Sequence, residues 1–260
     1  MNSSTADGAL WEVLPEVPLG AHLQMAMDEV LLDAVAAGRR GPLLRFWGWT
    51  DATLVLGSNQ SLSNELDREA VRVRGFTITR RLSGGGTMLA QPGRTITWSL
   101  CLPEVLLAGR SFRESYELLD GFAVDALRGL GIDAGYRPIN DIVSPVGKIA
   151  GAAQARRRGA VLHHTTMAYA IEPGLLPALI RIGRPALTHR GVRSADKVVS
   201  PLSDLLPGIT REEVLAALGE AFATHWPVSG EGGLADAERD AASSLAAAKY
   251  SRQEWIERLP

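Results

Sequence analysis

Three consecutive glycines set between two strand-like runs limit the fold of this chain more than any other stretch. The run Phe76-Thr77-Ile78-Thr79-Arg80-Arg81 leads into Leu82-Ser83-Gly84-Gly85-Gly86-Thr87. Beyond the glycines, Ile96, Trp98, Leu100 and Leu102 alternate with Thr95, Thr97, Ser99 and Cys101. A period of two gives a strand one apolar face. Two strands therefore flank a loop of bare backbone.

Helical spacing interrupts the strands. Leu23, Met27, Val30, Leu31 and Val35 share one face of a helix over residues 21–37, with Gly38 placed for a left-handed cap. Apolar runs at 43–49 and 53–56, joined by a turn at Thr50-Asp51, read as strands. Ser111-Phe112-Arg113-Glu114 and Thr210-Arg211-Glu212-Glu213 have the form of capping boxes, in which a hydroxyl and a glutamate satisfy each other's free backbone donors. The first opens a helix to about Leu130, ended by Gly131, and the second runs through Phe222. Residues 161–171 alternate as another strand. The fold class expected is therefore α/β (α+β), with mixed sheets packed against helices. The Pro-, Gly- and Ser-rich stretch 227–233 reads as a linker, which divides the chain into a main domain, 1–226, and a short helical tail, 227–260. Lys249, Tyr250 and Trp255 suggest that the tail docks on the main domain.

Composition narrows the function. A net charge of −2, with basic residues scattered, gives no footprint for nucleic acid or membrane. No window approaches the ~18 apolar residues of a membrane span, and the first lysine or arginine is Arg39, so a charged signal-peptide start is missing. The expected compartment is the cytoplasm. The single cysteine, Cys101, excludes an internal disulfide and a multi-cysteine metal site, and its place in an alternating strand suits a small buried hydrophobe.

Three constellations could carry chemistry. Backbone N–H groups of Gly84, Gly85 and Gly86 can turn toward an anion, with Arg80 and Arg81 adding positive charge. The loop is neither a Walker loop nor a dinucleotide fingerprint. Second, Asn140-Asp141 precedes Lys148, which stands among Gly147, Ala150, Gly151 and Ala152, where no bulky neighbour crowds a ligand. Asp141 could hold Mg²⁺ beside substrate phosphates, though an Asn-Asp turn is the plainer reading. Third, His163 and His164 are adjacent, so on a strand they point to opposite faces and only one would bind. Arg156-Arg157-Arg158 reads as a solvated turn.

In this order these pieces resemble the lipoate-protein ligase family. The resemblance runs from Met25-Ala26-Met27-Asp28-Glu29 and Leu56-Gly57-Ser58-Asn59-Gln60 through Arg80–Gly86, Asn140-Asp141 and Lys148-Ile149-Ala150-Gly151 to His163-His164-Thr165. It implies a mixed α/β catalytic domain shared with biotin ligases. It implies an enzyme that activates lipoate or octanoate with ATP and Mg²⁺ as an acyl-adenylate and passes the acyl group to a lysine. The acceptor is a lipoyl carrier domain of the 2-oxoacid dehydrogenase or glycine-cleavage H-protein type. Lys148 would be the catalytic electrostatic group. Arg81, Ser83, Gly84, Gly85, Gly86, Thr87, Met88, Leu89, Asn140, Gly151 and His164 would bind substrate and ATP, and Asp141 the metal. Ala90-Gln91 stands where such ligases usually carry His-Asp, and Thr165 replaces a glycine. A separate accessory protein is implied, because no accessory domain follows the catalytic part. The alternatives are an octanoyl or lipoyl transferase drawing on acyl carrier protein through a cysteine thioester, a non-catalytic homologue that binds lipoyl domains, and a biotin ligase.

Overall fold

The computed structural model describes residues 8–172 and 174–259. Among the described residues the strands are β1 (Trp11–Leu19), β2 (Leu43–Trp49), β3 (Thr53–Leu56), β4 (Thr77–Arg80), β5 (Met88–Ala90), β6 (Thr95–Pro103), β7 (Gly135–Arg137), β8 (Asp141–Ser144), β9 (Gly147–Arg157), β10 (Ala160–Ala168) and β11 (Val228–Glu231). Eight form one mixed sheet in the order β11-β1-β2-β6-β10-β9-β8-β7, and β4-β3-β5 form a second. The longer helices are α1 (Ala21–Ala36), α2 (Phe112–Gly129), α3 (Arg211–His225) and α4 (Asp236–Leu245).

The alternation in β6 sorts the layers. Ile96, Trp98, Leu100 and Leu102 pack with Leu119 and Phe122 of α2 and Leu218 and Phe222 of α3 on one face of the large sheet. Burial of each such side chain contributes roughly 1.5–3 kcal/mol. Cys101, on the opposite face, joins Met27, Leu31 and Leu32 of α1. Both expected capping boxes are formed: Ser111 N–H donates to Glu114 at 2.7 Å and Thr210 N–H to Glu213 at 2.8 Å. No helix is long and apolar enough to cross a membrane among the described residues.

Several expectations are redrawn by the sheets. The runs 43–49 and 53–56 do form strands, yet β2 lies in the large sheet and β3 in the small one, so the turn between them changes sheets. The two strands around the glycines part in the same way, β4 to the small sheet and β6 to the large. β9 is eleven residues long, but its alanines and glycines carry too little apolar area to show a period. Arg156 and Arg157 close that strand rather than a solvated turn: Arg157 reaches Glu29 at 2.8 Å, and the Arg156 guanidinium lies 4.4 Å from the Phe112 ring centre.

Residues 227–233, read as a linker, contain β11, which pairs in parallel with β1 at the sheet edge. The tail beyond it does dock on the body. Tyr250 and Lys249 bond to Glu29 of α1, and the Trp255 indole donates to the Arg80 carbonyl at 2.9 Å.

Candidate active site

A cavity of about 320 Å³ opens between the glycine loop, β9, β10 and the segment 193–199, a volume typical of small-molecule sites. Arg81, Gly85, Gly86, Thr87, Met88, Leu89, Asn140, Lys148, Gly151 and His164 all line it. Ser83, Gly84 and Asp141 are not among its lining residues but contact Arg81 or Lys148, which are. Its lining mixes apolar side chains, among them Val55, Leu89, Ile171, Leu176 and Ile180, with Lys148, Arg193, Ser194 and Lys197.

One glycine is required by close approach of backbone, and a second leaves room for the catalytic lysine. A Cβ on Gly57 would stand 2.1 Å from the Gly85 carbonyl oxygen, and one on Gly151 would stand 2.2 Å from the Lys148 Nζ. Without Cβ at 151, the lysine chain lies flat along β9. Gly85 itself has φ of +87°, a conformation that L side chains rarely adopt.

Arg81 clamps the loop. Its guanidinium donates to Ser83 Oγ at 3.0 Å, to the Val55 carbonyl at 3.2 Å, to the Gly86 carbonyl at 2.8 Å and to the Gly84 carbonyl. All but one of its five N–H donors are thus committed, and it offers a ligand charge more than hydrogen bonds. Burial brings its pKa down to about 10, which leaves it charged at neutral pH. Arg80, expected beside it at the mouth, points the other way because strand neighbours alternate. It is fully buried and donates to Gly57, Gln60 and Ile256 carbonyls at 2.7–2.9 Å.

A buried chain of hydrogen bonds supports the pocket floor. Arg81 donates to Ser83, which lies 2.6 Å from His164 Nε2; His164 Nδ1 lies 3.0 Å from Asp28. Asp28 also accepts from Arg45 and Ser99, each at 2.6 Å. Burial pushes the His164 pKa down against the pull of Asp28, so the ring is neutral at pH 7. Ser83 then donates to Nε2 and the ring donates from Nδ1. Burial would raise the Asp28 carboxyl, but Arg45, His164 and Ser99 together hold it below the usual carboxylate range. His163 turns to the opposite face, as adjacency on a strand requires, and meets Asp120 of α2 at 2.9 Å. Thr165 also bonds to Asp120, at 2.8 Å. Its replacement of glycine therefore does not alter the pocket surface. Ala90 is buried in the α1-side core, and neither it nor Gln91 lines the cavity.

Lys148 and Asp141 face each other with Nζ 2.8 Å from Oδ1. A second ammonium, Lys197, contacts Oδ2 of the same carboxylate. Burial lowers the Lys148 pKa despite Asp141. Burial works against ionised Asp141 too, but the two lysines hold its carboxyl below the ordinary range. Asp141, expected to offer oxygens to Mg²⁺, is paired with two ammonium groups instead: Lys197 donates to Oδ2, and Lys148 Nζ lies 2.8 Å from Oδ1, which has no hydrogen-bond partner of good geometry. Among the described residues no cluster of three or more His, Cys, Asp or Glu could hold a metal. Two ammonium groups against its carboxylate do not favour a cation held by Asp141 alone.

Sequence reasoning missed Lys197, Arg193 and Ser194, which come to the pocket from a stretch with no local pattern. Asp28 is marked in the sequence only by its place in the resembling segment Met25-Ala26-Met27-Asp28-Glu29. A signal existed there: Gln24 and Asp28 are four apart on the buried face of α1, where uncompensated polar groups are costly.

The model of the lipoyl protein ligase A/B catalytic domain family matches residues 21–223. The octanoyltransferase LipM of Kyrpidia tusciae is 30% identical over 270 residues, covering 94% of this chain and 97% of that protein. Lipoate-protein ligase A subunit 1 of Thermoplasma acidophilum is 26% identical, covering 94% of each chain. Among solved structures, lipoate-protein ligase A bound with ATP superposes with a TM-score of 0.81 at 25% identity, over 96% of this chain and 100% of that one.

Proposed function

Because the chain belongs to the lipoyl protein ligase A/B catalytic domain family, we propose that it activates octanoate or lipoate with ATP and passes the acyl group to a lysine of a lipoyl carrier domain. The observation that carries this reading is the charge of the cavity wall. Arg81, Lys148, Arg193 and Lys197 line it, with no carboxylate and no thiol among the described lining residues. A wall so charged suits a triphosphate meeting a carboxylate, two anions that repel unless their charge is offset.

In the first step a carboxylate oxygen bonds to the α-phosphorus, the bond from that phosphorus to the bridging oxygen breaks, and diphosphate leaves with the electron pair. Lys148 offsets charge on the phosphoryl oxygens, with Gly85, Gly86 and Thr87 beside it. The apolar lining side chains accept the acyl chain. In the second step a neutral carrier amine attacks the acyl carbonyl, AMP leaves with the C–O electron pair, and the amine proton passes to solvent. A separate accessory protein is in keeping with the relative named as subunit 1.

Octanoyl transfer without ATP is the second reading, and the relative at 30% identity favours it by name. The names of the curated relatives weigh more toward transfer than toward ligation. The chemistry of the pocket weighs the other way. Transfer through a thioester needs a thiolate, and Cys101 is fully buried on the α1 face with its pKa pushed up by burial and by Asp28. Transfer here would have to proceed by direct attack of the carrier amine on an acyl thioester.

Isotope exchange between diphosphate and ATP, run with lipoate, octanoate and biotin, separates the readings. Exchange is expected with lipoate or octanoate, and Lys148→Ala should lower it about 100-fold or more, the scale of losing one preorganised charge. Octanoyl transfer from acyl carrier protein with no exchange would establish the second reading, and loss of that transfer in Cys101→Ser would assign it to the thiol.

A further inference from the structure

We propose that Lys197 is a second catalytic ammonium, dedicated to the diphosphate leaving group while Lys148 serves the α-phosphoryl and acyl oxygens. The inference rests on the adenylation reading and adds a division of labour within it. Two ammonium groups converge on one carboxylate, Lys148 on Oδ1 of Asp141 and Lys197 on Oδ2. A single negative charge cannot neutralise both, and Arg81 and Arg193 add to the surplus on the same wall. The missing counter-charge must come from the ligand.

Lys197 is held, not loosely tethered. Val198 and Ser200 bond to the backbone of Lys148, the first accepting from its N–H and the second donating to its carbonyl, both at 2.8 Å. Upstream, Val192 N–H donates to the Asn59 carbonyl at 2.8 Å, and Ser194 N–H donates to Glu65 at 2.9 Å. The segment therefore presents its lysine from a backbone tied to the catalytic strand. Asp141 spaces the two ammonium groups and positions both.

Solvent exposure assigns the roles. The acyl chain packs against the apolar lining side chains, so its carboxylate attacks from within the cavity. In-line displacement sends the leaving group to the opposite side of phosphorus, toward solvent. Lys197 is the more exposed lysine of the pair, at 39% of its side chain against 26% for Lys148. It stands on the leaving-group side.

The test uses the full chain and two ligands, inorganic diphosphate and AMP, with binding followed by calorimetry. Lys197→Ala should weaken diphosphate about tenfold, the scale of one charge-assisted hydrogen bond, and AMP less than about twofold. Lys197→Arg should restore most of the diphosphate affinity. In turnover, Lys197→Ala should slow ATP–diphosphate exchange at least about tenfold while leaving transfer from synthetic octanoyl-AMP within about twofold; Lys148→Ala should lower both. Equal weakening of diphosphate and AMP, unchanged diphosphate binding, or equal loss in the two half-reactions would overturn the assignment. Wild-type protein that shows exchange with none of the three acids would overturn the adenylation reading instead, a result distinct from one in which exchange occurs but Lys197→Ala leaves diphosphate binding unchanged.

Discussion

His163 and His164 are neighbours on β10, both buried and both within hydrogen-bond distance of a carboxylate, yet they serve different parts of the molecule. His163 meets Asp120 and Gln154 beneath α2, where nothing opens to the cavity. His164 joins Asp28 to Ser83 and so to the arginine that clamps the glycine loop. The same residue type one position apart is structural on one face and part of the pocket wall on the other. Motif membership does not distinguish them; the period of the strand does.

Removing His163 tests the structural face, with the largest expected effect. His163→Ala leaves the fully buried Asp120 with only Thr165 as a donor, and unfolding should become easier by about 3 kcal/mol, the scale of a buried charge losing its partner. Activity per folded molecule should stay within about threefold, because no cavity-lining group is touched. Denaturant titration beside an exchange assay checks both, and a stable but inactive variant would break the comparison. On the pocket face, His164→Ala should lower exchange about tenfold, as expected when the support of a positioned loop is lost.

Acid should weaken the pocket face through the same ring. The folded pKa of His164 lies below its ordinary 6.5. The unfolded chain therefore binds the proton first, and this contribution to stability, full above about pH 6.5, declines as pH falls toward the folded value. Wild-type Tm should drop between pH 7.5 and 5.5, to be followed by calorimetry, and His164→Gln should show a shallower drop. The smallest effect is expected for Thr165→Gly, which restores the residue usual in the resembling ligases. It should cost about 1 kcal/mol of stability from one lost hydrogen bond and added backbone freedom, and leave the acid-activation rate within about twofold. A large rate change would place Thr165 in the pocket after all.

The Asp141 region repeats the lesson at the level of charge. From sequence, an aspartate near a lysine and a phosphate loop suggested a metal ligand. In three dimensions the carboxylate is shared by two ammonium groups, one of them brought from 56 residues away. That partner lies on a segment with no periodic pattern.

Local order was written in the chain itself. The period of two in β6, the helical spacing of α1, both capping boxes and the turn of the glycines follow from neighbour interactions, which depend only on residues a few positions apart. The triple glycine and Lys148 were legible as chemistry for the same reason, since small residues around them leave room for a ligand. Tertiary structure alone decided which sheet each strand joined, that Arg80 would anchor the tail while Arg81 faced the cavity, and that Lys197 would meet Asp141. Those outcomes depend on contacts between residues far apart in sequence, where side-chain direction and charge are set by packing of whole layers rather than by any local pattern.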